Sequence, residues 1–256
     1  MTFEELKQIA DSVGERQGWD FSRMQVDCDP MPWDYLEVAA RYLRPTDRVL
    51  DVGTGGGEKF IQLAPHFGEG IGIDFDPEMV ATAQRNLPRD TPIQFEQMST
   101  DSLSFEDHSF DVVLNRQAPM AADEIARVLK PEGYFITQQI GSSNMRNILM
   151  EFGWDLATLP QAKGVQTYID AFESHDCVVV GQATYDVRYF VRDVESLVFW
   201  LKAILHYSAT GFPETFDIQK HWQVIDRIVS KYQTPRGIET NEHRELLIVQ
   251  KRSRSF

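Results

Sequence analysis

The chain has 256 residues, and its 39 acidic against 25 basic side chains give a formal net charge of −14 at pH 7. Binding to a nucleic-acid backbone depends on Lys and Arg that neutralise phosphates, so this charge argues against a protein that coats DNA or RNA. Hydrophobic residues make up 42% of the chain, which is enough for a full core and excludes a mainly disordered protein.

The composition also bears on location and metal binding. No stretch approaches the roughly 20 apolar residues of a membrane span, and residues 1–7 lack the cationic and apolar segments of a signal peptide. We therefore expect a cytoplasmic protein that does not associate with membranes. Cys28 and Cys177 are far apart, and the six histidines show no ligand spacing, so we expect two unpaired thiols and no metal.

Short apolar runs alternate with helix-like stretches through the first 140 residues. The predicted strands are residues 48–52, 70–74, 92–95, 110–114 and 134–137. Helices are predicted between them, including residues 77–86 and 121–129. Strands separated by helices indicate βαβ units, and thus a mostly parallel sheet with helices on both faces.

The second half of the chain is predicted to begin with helices over residues 144–152 and 166–175. Two strands follow, residues 177–191 and 243–252. The intervening segment, residues 193–241, has helical spacing of apolar residues in two stretches, residues 193–207 and 218–232. Packing against the core and closure over a substrate as a lid are both consistent with this pattern.

A glycine-rich turn follows the first predicted strand of the sheet, in the sequence Gly53-Thr-Gly-Gly-Gly-Glu58. Glycine permits positive φ and lets a ligand approach the backbone, and the helix that follows offers free N–H groups. The dinucleotide fingerprint would require glycine at position 58, which is Glu, and the Gly-Lys-Ser/Thr of a P-loop is absent. NAD, FAD and P-loop nucleotides are therefore not favoured.

The pattern Asp51-x-Gly53-x-Gly55-x-Gly57 resembles the first motif of the class I S-adenosylmethionine-dependent methyltransferases. A second acid, Asp74, ends the next predicted strand, where this family has an acid that holds the ribose hydroxyls. Residues 105–113 and 124–133 also resemble the fourth strand and the following helix and turn of the family.

The resemblance implies an α/β fold with a doubly wound, mostly parallel seven-stranded sheet, an antiparallel last strand and helices on both faces. Residues 41–192 and 242–256 are then the Rossmann-like domain that binds S-adenosyl-L-methionine. Residues 1–40 would be a helical segment over the cofactor, and residues 193–241 a helical insertion that is a possible substrate lid.

The cofactor implied by the resemblance is S-adenosyl-L-methionine, which leaves as S-adenosyl-L-homocysteine. Ten residues are predicted to contact it: Asp51, Gly53, Thr54, Gly55, Gly57, Asp74, Phe75, Met98, Ser99 and Asn115. The family often has Gly-Asp-Ala after the third strand, where this chain has Met98-Ser99-Thr100. Ser99 can hydrogen-bond adenine without charge assistance, and Asp101 is an alternative partner.

The implied activity is methyl transfer by in-line displacement, which depends on orientation and makes a dedicated base optional. Candidate residues for the acceptor side are Trp33, Tyr35, Arg116, Trp200 and Tyr207, with His206 as a weak candidate for a base. The Asn-Pro-Pro-Tyr motif of amino-methylating nucleic-acid enzymes is absent, which favours a small-molecule acceptor. Methylation of protein or RNA, or non-catalytic cofactor binding, are the alternatives.

Overall fold

The computed structural model describes residues 1–14, 18–159, 164–205 and 211–253. The strands are β1 (Val26–Cys28), β2 (Arg48–Val52), β3 (Glu69–Asp74), β4 (Ile93–Gln97), β5 (Phe110–Arg116), β6 (Leu129–Ile140), β7 (Cys177–Val191), β8 (Gln233–Thr234) and β9 (Gly237–Lys251). The α-helices are α1 (Phe3–Ser12), α2 (Tyr35–Ala40), α3 (Phe60–Leu63), α4 (Pro77–Asn86), α5 (Ala122–Val128), α6 (Arg146–Glu151), α7 (Gln166–Glu173), α8 (Val194–Ile204) and α9 (Ile218–Tyr232).

The sheet has the order β1-β7-β9-β6-β5-β2-β3-β4, with β8 paired to β9. The strands from β4 to β6 pair in parallel, whereas β9 pairs antiparallel with both β6 and β7. This confirms the predicted doubly wound sheet with an antiparallel last strand. Two short strands add to the predicted seven: β1 at the edge beside β7, and β8 in a hairpin with β9.

The last strand begins at Gly237, six residues before the predicted start at His243. The added residues include Ile238 and Thr240, which pair with Val191 and Tyr189 of β7. Since this pairing is between segments far apart in the chain, the mixed polar and apolar sequence of residues 237–242 did not indicate it. The second helix of the segment between β7 and β9 ends at Tyr232, as predicted, and the last strand takes up the end of that segment.

Both faces of the central strands are buried. One face, with Leu50, Val113 and Phe135, packs against α5 and α7. The other face, with Val49 and Leu114, packs against α2, α3 and α4. Burial on both sides explains why these strands are nearly continuous apolar runs in the sequence.

A third cluster lies beside the long strands β7 and β9, where helices α1, α6, α8 and α9 pack together. Leu197 and Leu201 of α8 are fully buried there, as are Leu6 of α1 and Ile225 of α9. The helical spacing of apolar residues over 194–204 thus marks a face of α8 that is packed into a core. Movement of this segment as a lid stays a prediction. None of the described helices has the length and apolarity needed to cross a membrane.

Candidate active site

The glycine loop between β2 and α3 has a conformation that requires glycine. Gly53, Gly55 and Gly57 have φ of 72°, 57° and 75°. A β-carbon at Gly53 would collide with Ala118, and one at Gly57 would lie 2.7 Å from the Phe95 ring. Both the backbone angle and the neighbouring side chains therefore exclude other residues at these positions.

Asp74 lies at the end of β3 with its carboxylate directed to the glycine loop. Its Oδ2 accepts the Gly55 N–H at 2.9 Å, and its Oδ1 accepts the Asp76 N–H at 3.0 Å. Burial raises the pKa of Asp74, and these backbone donors oppose the rise. Each carboxylate oxygen keeps a further acceptor position, so the group can still bind hydroxyls.

The residues next to Asp74 continue the predicted arrangement. The Asp76 side chain accepts the Glu78 N–H at 2.8 Å and caps α4, whose first residue is Pro77. The side chain of Phe75 is 65% exposed. A large exposed ring beside an anchored carboxylate provides a flat apolar surface on which a purine can lie.

Asp51 lies on the same face of the sheet as Asp74, because it pairs with Gly72, two residues before Asp74. Burial raises the pKa of Asp51 to about 7, and the nearby charge of Asp74 adds to the rise. The guanidinium of Arg116 opposes it. A cationic ligand group at this place would favour the ionised form of Asp51.

This donor set fits S-adenosylmethionine. Two buried carboxylates suit its ammonium group and ribose hydroxyls, and the exposed Phe75 ring suits its adenine. By contrast, the Glu58 carboxylate folds against Gly56 in the loop and accepts the Trp19 N–H at 3.3 Å. A carboxylate in this position would repel a pyrophosphate, as the sequence indicated.

Met98 and Ser99 follow β4 and lie near the same end of the sheet. The Met98 N–H donates to the Asp74 carbonyl at 2.9 Å, and its side chain packs partly on the core. Ser99 is exposed and its Oγ lies 3.4 Å from a carboxylate oxygen of Asp101. Ser99 and Asp101 thus lie side by side. The contacts of Met98 and Ser99 with adenine stay predictions.

The side chain of Asn115 is fully buried on the face of the sheet opposite to Asp51, close to Gly53 of the glycine loop. Its Nδ2 donates to the Val52 carbonyl at 2.9 Å, and its Oδ1 accepts from Thr137 at 2.8 Å and from Gln139 at 2.6 Å. Val52 and Asn115 are paired residues, and their side chains lie on the face opposite to Asp51. The predicted contact of Asn115 with a cofactor stays a prediction, and its side chain has a structural role inside the sheet.

Beyond Asp51, polar residues continue along the same face towards β7. Trp33 donates from Nε1 to Gln138 Oε1 at 3.0 Å, and its ring meets that of Tyr185 edge-on at 4.6 Å between centroids. Tyr35 is buried, and its hydroxyl donates to the Asn115 carbonyl at 3.1 Å. Trp33 is thus partly exposed on this face of the sheet, whereas Tyr35 is buried beneath it.

Of the remaining predicted acceptor residues, Trp200 lies apart from this group, two lie outside the described part of the chain, and Arg116 lies on the same face as Asp51. Trp200 packs in the third cluster, with its ring 5.8 Å from that of Tyr189. His206 and Tyr207 lie outside the described residues. Arg116 lies at the end of β5 and is largely buried.

Trp19, which was not among the predicted site residues, lies against the glycine loop. A β-carbon at Gly55 would be 2.7 Å from Cδ1 of Trp19. Phe21 links Trp19 to Phe199 of α8, with ring centroids 6.3 Å and 6.2 Å apart. Isolated aromatics in a loop carry no periodic signal, so this contact was not visible in the sequence.

Arg244 and Tyr185 also lie on this face, beside Trp33, and were not among the predicted site residues. They are paired residues of β9 and β7. A signal for Arg244 does exist in the sequence, since alternation from the buried Leu246 and Ile248 puts it on the same face.

Comparisons with known proteins agree with this geometry. Residues 50–137 match a family model described as Methyltransferase domain. The uncharacterized methyltransferase YcgJ of Bacillus subtilis is 36% identical over 110 residues, which are 40% of this chain and 44% of YcgJ. The 2-methyl-6-phytyl-1,4-hydroquinone methyltransferase of Synechocystis is 32% identical over 141 residues, 50% of this chain and 44% of that protein. The matches thus span less than half the length of these curated relatives.

A solved structure shares the fold over most of the chain. A putative methyltransferase from Bacillus halodurans superposes with a TM-score of 0.60 at 15% identity. The match covers 85% of this chain and 97% of that one. It therefore extends the shared architecture well beyond the region found by the family model.

Proposed function

The chain belongs to the class I S-adenosylmethionine-dependent methyltransferases, and from this membership we propose that it transfers a methyl group from S-adenosylmethionine to a small-molecule acceptor. The observation that carries the proposal is the pair of buried carboxylates, Asp51 and Asp74, on one face beside a glycine loop of fixed shape. The Synechocystis relative is named for a small quinol, which supports an acceptor of that size.

The cofactor would be held by the backbone of the glycine loop, by Asp51 and Asp74, and by the Phe75 ring. When bound, it supplies a sulfonium methyl group for in-line displacement by the acceptor. Asp74 is already oriented by two backbone N–H donors, so its acceptor positions need no rearrangement. Trp33 and Tyr185 form an aromatic wall farther along the same face, which would exclude water from the acceptor.

Neither of the described tyrosines beside Trp33 is arranged as a strong base. The Tyr35 hydroxyl donates to a carbonyl, and burial raises its pKa. The Tyr185 hydroxyl donates to Glu242 Oε1 at 2.7 Å, and burial raises its pKa as well. Both phenols therefore stay protonated near neutral pH, and the residues contribute mainly by orienting the acceptor.

The proposal includes a cover over the cofactor formed by residues 18–24 together with α8. The contacts of Trp19 with Gly55 and of Phe21 with Phe199 support it. It also includes a cytoplasmic location and no nucleic-acid partner. The net charge of −14 supports the second of these, and the unpaired thiols of Cys28 and Cys177 support the first.

The test is thermal unfolding with and without S-adenosylhomocysteine. At a ligand concentration about 100 times the dissociation constant, binding to the folded state adds about 2.7 kcal/mol of stability. The melting temperature should rise by several degrees, while NAD at the same concentration should leave it unchanged. No shift with saturating S-adenosylhomocysteine or S-adenosylmethionine would remove the proposal.

A further inference from the structure

We propose that the methyl acceptor carries a carboxylate, which Arg116 and Arg244 bind together on the Asp51 face of the sheet, beside Trp33 and Tyr185. The inference rests on the proposed function, because it names the chemistry of the acceptor for the same site. Four observations carry it: the shared face of the two arginines, their incomplete pairing, the distance of Arg244 from the cofactor residues and the aromatic wall beside it.

The two guanidinium groups lie on the face of the sheet that carries Asp51. Asp51 pairs with Leu114, two residues before Arg116, so both side chains point to the same side. Arg116 pairs with Gln138 of β6, and Ile140, two residues later, pairs with Arg244 of β9. Because side chains alternate along a strand, one row runs from Asp74 through Asp51 and Arg116 to Arg244.

Arg116 has no direct partner among the described residues of this row, although the charges of Asp51 and Glu242 act on it at longer range. No hydrogen bond or ion pair joins its guanidinium to another residue of the described chain, although the side chain is largely buried. Burial lowers its pKa, and the charge of Arg244 lowers it further. A buried guanidinium is costly without a partner, so the site is suited to an anion.

Arg244 is only partly satisfied. It donates from one terminal nitrogen to Asn144 at 2.5 Å and to the His243 carbonyl at 2.9 Å, and its other terminal nitrogen lies 3.4 Å from Glu242. Its Nε is buried without a hydrogen-bond partner. Glu242 also accepts the Tyr185 hydroxyl, so one carboxylate stands against two guanidinium groups. Once the ammonium group of the proposed cofactor pairs with Asp51, the remaining excess of one positive charge matches one carboxylate, which a guanidinium can bind through two parallel hydrogen bonds.

The carboxylate of the cofactor itself is the competing source of the same chemistry. The cofactor residues Asp74 and Asp51 lie on β3 and β2, whereas Arg244 lies on β9, three strands from β2. With strands about 4.8 Å apart, this separates Arg244 from Asp51 by roughly 14 Å across the sheet. Arg244 therefore lies towards the acceptor end of the row, where Trp33 and Tyr185 offer an apolar surface to the body of an acid. Arg116, on β5, lies between Arg244 and Asp51.

The test uses trifluoroacetate as a minimal carboxylate, observed by ¹⁹F NMR with S-adenosylhomocysteine at saturation. Wild type should show a saturable shift, and uncharged trifluoroacetamide should show none. Arg116→Met and Arg244→Met should each weaken trifluoroacetate binding at least tenfold. Arg41→Met, at an exposed arginine that ends α2, is the matched control and should bind as wild type does.

Melting curves and S-adenosylhomocysteine titrations establish that each variant is folded. If a methionine variant does not fold, Arg116→Lys and Arg244→Lys replace it, and each should weaken trifluoroacetate binding because lysine cannot form the two parallel bonds. The absence of saturable trifluoroacetate binding in wild type overturns the inference, as does undiminished binding in the folded variants. An equal loss of S-adenosylhomocysteine affinity in Arg116→Met also overturns it, since the arginine would then serve the cofactor. Failure of wild type to bind S-adenosylhomocysteine instead overturns the proposed function.

Discussion

Replacing Asp51 by Asn should stabilise the cofactor-free fold at alkaline pH while weakening cofactor binding. Asp51 is 9% exposed, and burial raises its pKa to about 7 from 3.8. Between these two values the folded chain holds a proton that the unfolded chain has released. The free energy of unfolding therefore falls as pH rises towards 7, and above 7 the full cost of the buried charge is present.

The size of the effect follows from the width of this window. Each pH unit over which only the folded chain is protonated changes the free energy of unfolding by about 1.4 kcal/mol. Between pH 5 and pH 8.5, two such units lie below the folded pKa of about 7, so the wild type loses about 3 kcal/mol through Asp51. The amide that replaces this carboxyl group in the variant does not ionise, and this component of the pH dependence disappears.

The assay is urea unfolding of wild type and Asp51→Asn at intervals from pH 5 to pH 8.5. Other ionisable groups are common to both proteins, so the difference between their free energies of unfolding reports position 51 together with its coupling to Asp74. That difference should move in favour of the variant by about 3 kcal/mol up to pH 7 and then level off. A difference that does not change with pH would refute the reasoning that Asp51 is a buried acid of raised pKa. S-adenosylhomocysteine should bind the variant about tenfold more weakly at pH 8.5, because one charge-assisted hydrogen bond is lost.

Four further substitutions test the exposed ring, the glycine loop with its control at Gly153, and the helical cluster. Phe75→Ala should weaken S-adenosylhomocysteine binding about fivefold by calorimetry with little change in melting temperature, because the ring is 65% exposed; unchanged affinity would exclude stacking on adenine. Gly57→Ala should destabilise the fold by about 2 kcal/mol or more in urea, since positive φ and the Phe95 contact both oppose it. Gly153→Ala has the same sign of φ with open space around it, so it should cost only about 1 kcal/mol, and equal costs would contradict the role of packing. Leu201→Ala should cost about 2–5 kcal/mol, because this side chain of α8 is fully buried; a cost near zero would mean that α8 is not packed as described.

Local signals predicted the cofactor half of the molecule closely. Asp76 and Pro77 mark the start of α4, and the helix runs from Pro77 to Asn86 as the sequence indicates. The strand Arg48–Val52 and the glycine turn after it were also predicted to the residue. These features depend on backbone chemistry within a few residues, which a single sequence displays directly.

The acceptor half depends on contacts between distant segments and was predicted less well. Arg244 lies near Arg116 only because their strands, β9 and β5, both pair with β6. This order of strands is a property of the whole chain. Asn115 was assigned to the cofactor because it ends a strand, but its alternation with Arg116 turns it to the other face. A shift of one residue reverses the direction of a side chain in a strand, so an assignment by position near a strand end cannot decide such cases.

The central claim is that the glycine loop and the acid at the end of β3 bind S-adenosylmethionine and its product. Calorimetric titration of S-adenosylhomocysteine into wild type, Asp74→Ala and Asp76→Ala tests it most directly. Each variant loses a carboxylate that accepts a backbone N–H, but only Asp74 is placed to accept ribose hydroxyls. We predict one saturable site in wild type, similar affinity in Asp76→Ala and at least tenfold weaker binding in folded Asp74→Ala. Absence of binding in wild type, or equal affinity in all three proteins, would contradict the account.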